Sequence, residues 1–215
     1  MEFKTEDTIL NNKTWTAPKA KNQEFSVYVW GGGGAGSCAT FNGPVSGGGG
    51  GAGYMNFGTF TINEGTRVDV KVGRGGIGCD GISPSAFANS YIGESGGTTV
   101  FGNYIFALGG EGGNGNKGGQ GGYPGGDAGL SGHGNYGSYG INGAVGNINY
   151  MSGGGGSAIN ARGLGGSSNR TLGDGGTAAG GAGAFCYRIG ENSPIHRRTG
   201  NGGQGVCIIR YTREV

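Results

Sequence analysis

Apolar and polar side chains alternate in several short stretches of this chain, with the two-residue period of a β-strand. In FSVYVW (residues 25–30), Phe25, Val27 and Val29 share one face, and Ser26, Tyr28 and Trp30 share the other. RVDVKV (67–72) puts Val68, Val70 and Val72 on one side and Arg67, Asp69 and Lys71 on the opposite side. That pattern predicts a half-buried antiparallel strand. GTFTI (58–62) precedes it across the turn Asn63-Glu64-Gly65-Thr66, which predicts a hairpin. A second hairpin joins TTVF (98–101) to YIFAL (104–108) at Gly102-Asn103, a pair suited to the positive φ of tight turns. VCIIRY (206–211) forms a last strand near the C-terminus, and no segment has helical periodicity.

Between the strands lies a different period. Glycine occupies Gly134, Gly137, Gly140, Gly143 and Gly146, every third position without a miss. Shorter runs in the same spacing are Gly119, Gly122 and Gly125, then Gly126, Gly129 and Gly132. Three residues per turn fits neither an α-helix nor a strand; it fits the polyproline II conformation. Only 5 prolines accompany the 59 glycines among 215 residues, which argues against a collagen triple helix. Short polyglycine II helices are then expected, packed through faces without side chains.

With 33% hydrophobic residues, a conventional core must be modest, and backbone groups must supply much of the cohesion. Each backbone hydrogen bond contributes only about 0.5–1.5 kcal/mol net, so many have to form together. Pairing of VCIIRY with the early strands would hold both ends of the glycine-rich stretch. The expected fold class is therefore all-β: a small antiparallel β-sandwich formed by N- and C-terminal strands, with a polyglycine II helix bundle inserted. The chain reads as a single glycine-rich domain over 1–215. Residues 1–108 and 205–215 are mainly β framework, and 109–204 are mainly lattice and loops. Glycine pieces near 31–36 and 47–53 join the bundle from the other side.

A net charge of +2 gives no strong pull toward nucleic acid or membrane. MEFKTEDTIL at the N-terminus lacks the apolar core of a signal peptide, and no apolar run reaches membrane-spanning length. Cys38, Cys79, Cys186 and Cys207 are scattered without a C-x-x-C pair. They read as reduced thiols, Cys207 within a strand. The sequons at Asn12-Lys13-Thr14 and Asn169-Arg170-Thr171 read as ordinary polar turns.

Motifs of catalysis dissolve on inspection. GGGGAG (31–36) satisfies G-x-G-x-x-G formally, but SCATFNGPVSGGGGG follows it where a nucleotide fold needs a helix. Lys117 is followed by Gly118, without the hydroxyl of a phosphate-binding loop. His133 and His196 have no metal-type spacing, and no G-x-S-x-G elbow occurs. Arg74-Gly75-Gly76 is a lone copy, read as a turn. No catalytic residue, metal or cofactor is expected.

Two insertions interrupt the glycine with side chains able to recognise a partner. Residues 79–95 bring Phe87 and Tyr91; residues 184–199 bring Tyr187, Arg197 and Arg198. Tyr136 and Tyr139 project from the triplet run. Aromatic and arginine side chains on a rigid base are typical interface anchors, so these seven are the candidate partner or receptor contacts. Solvated arginines and end-capping aromatics are the competing reading.

The order of these segments resembles the glycine-rich domains of bacteriophage tail-fibre and related virion proteins. The residues that carry the resemblance are Trp15-Thr16-Ala17-Pro18, FSVYVW, the run 31–34, Gly53-Tyr54 and GTFTINEGTRVDVKVGRGG. Residues 96–102 and 203–211 are similar to that family's later strands. Related domains occur in proteins of large DNA viruses and in some receptor ectodomains. The resemblance implies a non-catalytic virion structural protein (a minor capsid, spike or fibre component) located in the virus particle. Its partners would be other virion proteins and further copies of itself. A receptor-binding adhesin for a host-surface glycan or protein is the alternative. No heptad stalk is read here, so a capsid or spike component clamped by neighbours is expected as much as a fibre tip.

Overall fold

The computed structural model describes residues 2–37, 45–46, 48–78, 80–81, 92–114, 119, 121, 175–178, 185–186 and 197–214. In chain order the strands are β1 (Glu2–Ile9), β2 (Lys13–Thr16), β3 (Glu24–Trp30), β4 (Val45–Ser46), β5 (Met55–Thr61) and β6 (Arg67–Lys71). They continue with β7 (Asp80–Gly81), β8 (Thr99–Phe101), β9 (Ile105–Ala107), β10 (Phe185–Cys186), β11 (Arg197–Arg198) and β12 (Val206–Glu214). Among the described residues there is no α-helix, only a 3₁₀ turn at Lys21–Gln23.

Two four-stranded antiparallel sheets carry the fold, ordered β1-β12-β3-β5 and β2-β6-β8-β9. They share one core. Phe25, Val27 and Val29 of β3 and Cys207 and Ile209 of β12 meet Trp15, Val68, Val70, Phe101 and Ala107 from the second sheet. Trp15 lies edge-on to Phe25 at 5.2 Å between centroids and tilted against Phe101 at 5.6 Å. Its indole N–H donates to Asp7 Oδ2 at 2.9 Å, so the buried ring leaves no polar atom stranded. Each buried valine, isoleucine or phenylalanine of this core contributes about 1.5–3 kcal/mol.

The expected strands form, but one expected pairing does not. GTFTI and RVDVKV are not a hairpin: β5 pairs with β3, and β6 pairs with β2 and β8. The Asn63–Thr66 turn exists, with Thr66 N–H donating to Asn63 O and Gly65 at φ 79°, yet it carries the chain between sheets. Ala17 exchanges backbone hydrogen bonds with Gly65 and Thr66, so the chain beside β2 takes the place of the absent partner. Alternation marks a half-buried strand without saying which sheet receives it. The β8–β9 hairpin does form, through a three-residue loop, 102–104, rather than a two-residue turn.

Two strands lie outside the alternation pattern. β1 pairs with β12 from Glu2↔Glu214 to Ile9↔Cys207, although from Phe3 to Ile9 only the Ile9 side chain is buried. Lys13 and Thr14 belong to β2 rather than to a polar turn, and Asn12 Oδ1 accepts from Val72 N–H at 2.7 Å.

Candidate functional site: the glycine array and its far end

Six strands run into glycine-rich segments at the same end of the two sheets. β3 continues into 31–37, β6 into 72–78 and β9 into 108–114; β5, β8 and β12 are entered from 48–54, 93–98 and 199–205. None of these segments forms a ladder. Residues 31–37 send their N–H groups in rotation to three neighbours. Gly31, Gly34 and Ser37 donate to Tyr54, Gly51 and Gly48; Gly32 and Ala35 donate to Gly97 and Glu94; Gly33 and Gly36 donate to Gly203 and Gly200. Each set of acceptors steps back by three residues. The carbonyls of Gly32 and Ala35 accept from Gly110 and Gly113, and that of Gly33 accepts from Gly76. All seven residues of 31–37 are buried, in a core made of peptide groups.

The same period governs burial. From 107 to 114 the residues run buried, exposed, half-buried, with Ala107, Gly110 and Gly113 inside and Leu108, Glu111 and Asn114 outside. From 73 to 77, Gly73 and Gly76 are buried while Arg74 and Ile77 face solvent. Arg74-Gly75-Gly76 is therefore no turn; it is one triplet of the array, its arginine 3.3 Å from Glu94.

Glycine is required here for space, not for conformation. Among the described residues the glycines with positive φ are Gly65 and Gly102, both in turns. In the array, an ideal Cβ at Gly34 would sit 2.0 Å from the Glu111 carbonyl oxygen, and one at Gly50 2.0 Å from that of Gly34. The Cα hydrogens point at carbonyls, a close approach in which Cα–H···O contacts supplement the N–H bonds. Sheets separated by side chains stack about 10 Å apart and cannot exchange backbone bonds. Where the side chains end, the two layers do exchange them: Gly32 donates to Gly97, Gly51 to Glu111 and Gly205 to Gly73.

The far end of the array is closed by small ladders. Ser37 Oγ both donates to Gly48 O and accepts from Gly48 N–H at 3.1 Å. Gly78 N–H donates to Asn201 Oδ1 at 2.7 Å, and Ile92 bridges Asn114. Beyond them β4 pairs with β10, and β7 pairs with β11 through Arg197↔Gly81 and Arg198↔Asp80. The backbones of Arg197 and Arg198 thus lie beside the strand that leads toward Phe87 and Tyr91. Phe87, Tyr91, Tyr136, Tyr139 and Tyr187, like the triplet run 134–146, lie outside the described residues. The signal that sequence alone offered, and that was read only as a turn at Arg74, is the three-residue spacing of Arg74 and Ile77 and of Leu108, Glu111 and Asn114, with X-G-G at 74–76, 108–110 and 111–113.

The inward groups of the described array are mainly amides and carbonyls bonded to each other, with the Ser37 hydroxyl bonded to Gly48. Cys207 is a buried free cysteine whose pKa burial pushes up from 9.0 to about 12. Among the described residues no helix is long and apolar enough to cross a membrane.

Two antiparallel sheets whose strands merge into a glycine-rich, backbone-bonded lattice define a glycine-rich all-β protein. The glycine-rich domain family matches residues 7–212, and the chain belongs to that family. No curated protein matches the chain.

Proposed function

We propose that the glycine array is a bundle of polyglycine II helices, and that the protein is a non-catalytic structural component of a virus particle. The observation that carries the first part is the rotation of N–H donors from 31–37 among three neighbours, with acceptors stepping by three. A three-residue repeat turns each successive donor by about 120°, which is the polyproline II screw. The virion assignment is supported by the likeness in segment order to tail-fibre and related virion domains. It is further supported by a rigid, unreactive lattice suited to a particle exposed to solvent and proteases. A minor capsid, spike or fibre component would assemble through these surfaces with other virion proteins or with copies of itself. Proteomic analysis of purified particles from the source virus tests this reading: the protein should be present at stoichiometric level, and its absence would rule the reading out.

A receptor-binding adhesin is the second reading, favoured by one observation. The β7–β11 and β4–β10 ladders bring the flanks of both insertions to the same end of the array. Loops on a rigid scaffold are where recognition concentrates. Cell-binding measurements with Arg197→Ala and Arg198→Ala test it; undiminished attachment would remove the reading.

A further inference from the structure

The outward face of the first sheet is a regular grid, because β-pairing places every second residue of four strands side by side. Nearest the array, Trp30 stands between Met55 and Val206 and is covered by Ala52 and Ala178. The next row is Phe57, Tyr28, Ile208 and Thr8; then come Thr59, Ser26, Arg210 and Glu6, where the β3–β12 ladder ends; beyond it lie the separate pairs Thr61–Glu24 and Thr212–Lys4. The face grades from apolar to charged over three rows.

Its middle is an aromatic shelf joined to a polar groove. Phe57, 66% exposed, lies nearly parallel to Tyr28 at 6.0 Å and 19°. The Arg210 guanidinium sits 5.0 Å from the Tyr28 ring centre and is held by Nε donating to Glu6 Oε2 at 2.8 Å. Beyond it an open groove of about 490 Å³ is lined by Lys4, Glu6, Lys21, Glu24, Ser26 and Arg210 among others. That volume lies within the roughly 300–1,000 Å³ of small-molecule sites.

We propose that this face binds a neutral oligosaccharide of two or three hexose units, one ring lying on the Phe57–Tyr28 shelf and the next hydrogen-bonded in the groove. A sugar hydroxyl both donates and accepts, so it is best met by carboxylates and cationic donors side by side. Glu6 and Glu24 beside Lys4, Lys21 and Arg210 supply that mixture. Arg210 is already neutralised by Glu6, and Lys4 and Lys21 stand beside Glu24, so the lining presents charges of both signs and suits a neutral, hydroxyl-rich ligand. The apolar C–H face of a pyranose suits the negative π-face of an exposed aromatic ring. Rows two residues apart along a strand are separated by about 7 Å, a step of the order of one sugar ring. The site lies at the opposite end of the sheets from the β7–β11 ladder, so it stands without the adhesin reading of the loops.

The test is titration of the full chain with lactose, N-acetyllactosamine, maltotriose and cellotriose, with 3′-sialyllactose as the acidic comparison. At least one neutral probe should bind in the millimolar range or tighter. Phe57→Ala and Arg210→Gln should each weaken that binding at least tenfold, and Ser26→Trp, which fills the groove from an outward strand position, should abolish it. Circular dichroism and melting of the variants should match the parent. The proposal is overturned if no neutral probe binds or if binding survives Phe57→Ala and Ser26→Trp in folded protein. It is equally overturned if sialyllactose binds more tightly than lactose, or if only Arg197→Ala or Arg198→Ala removes binding.

Discussion

The Thr99 hydroxyl donates to the carbonyl of Trp30 at 2.6 Å, linking β8 of one sheet to the end of β3 in the other. The same oxygen accepts from the Gly73 N–H at 2.9 Å, and the side chain is fully buried. It stands where the side-chain core stops and the backbone array starts. Below this level the layers are held apart by Phe25, Phe101 and Trp15; above it they bond directly, as Gly32 does to Gly97 at 2.9 Å. One short polar side chain spans the last gap that backbone groups cannot yet close.

Thr99→Val keeps the shape and β-branching but removes both hydrogen bonds. Leaving a buried donor or acceptor unpaired costs about 1–3 kcal/mol. For a chain of this size each kcal/mol lowers the melting temperature by about 2–4 °C. A calorimetric melt should therefore fall by several degrees, and an unchanged melting temperature would show that the bridge contributes nothing.

Gly34→Ala should be far more damaging than Gly65→Ala. At Gly34 the backbone tolerates alanine, but the new methyl meets the Glu111 carbonyl at 2.0 Å and must push two segments apart. Several hydrogen bonds then fail together, enough to consume much of a typical stability of about 5–15 kcal/mol. At Gly65 nothing lies within 4 Å, and the cost is that of φ 79°, about 1–2 kcal/mol. Urea denaturation of both variants compares space with conformation; equal effects would contradict the packing described here.

Insertions should obey the three-residue register. One glycine added between Gly33 and Gly34 rotates the donors of 34–37 onto the wrong neighbours. Three added glycines restore the rotation and displace the segment by one repeat. Amide hydrogen exchange should show protection lost across the array after the single insertion and largely kept after the triple one. Similar protection in both would mean that the register is not set by these bonds.

Cys207 should resist alkylation until the protein unfolds. Burial raises its pKa from 9.0 to about 12, so the folded state keeps the proton longer than the unfolded state does. The resulting stability is fully present below about pH 9 and is lost as the pH rises toward 12. Iodoacetamide labelling at pH 8 should require denaturant, with stability declining from pH 9 upward. Rapid labelling of Cys207 in native protein would refute its burial.

Much of the framework was legible in local periodicity. Phe25, Val27 and Val29 point inward as their alternation requires, and so do Val68 and Val70. β1 was not legible, because a strand at a sheet edge keeps Lys4, Glu6 and Thr8 solvated and buries Ile9 alone from Phe3 onward. Its register comes from eight pairings with β12, at the far end of the chain. For the candidate site, Arg197 and Arg198 could be named from sequence, but their pairing with Asp80 and Gly81 could not.

By itself, the sequence determined the two periods, two in the strands and three in the glycine segments. Both are properties of a short piece of backbone and of which positions lack a Cβ. Only the tertiary structure decided who receives each hydrogen bond. Residues 31–34 are four identical glycines, yet Gly31 donates to Tyr54, Gly32 to Gly97, Gly33 to Gly203 and Gly34 to Gly51. Nothing in a glycine distinguishes these partners. They are selected by where β3 sits between β12 and β5, and by which strands of the second sheet face it. The side-chain core sets those positions, and the glycine array inherits them.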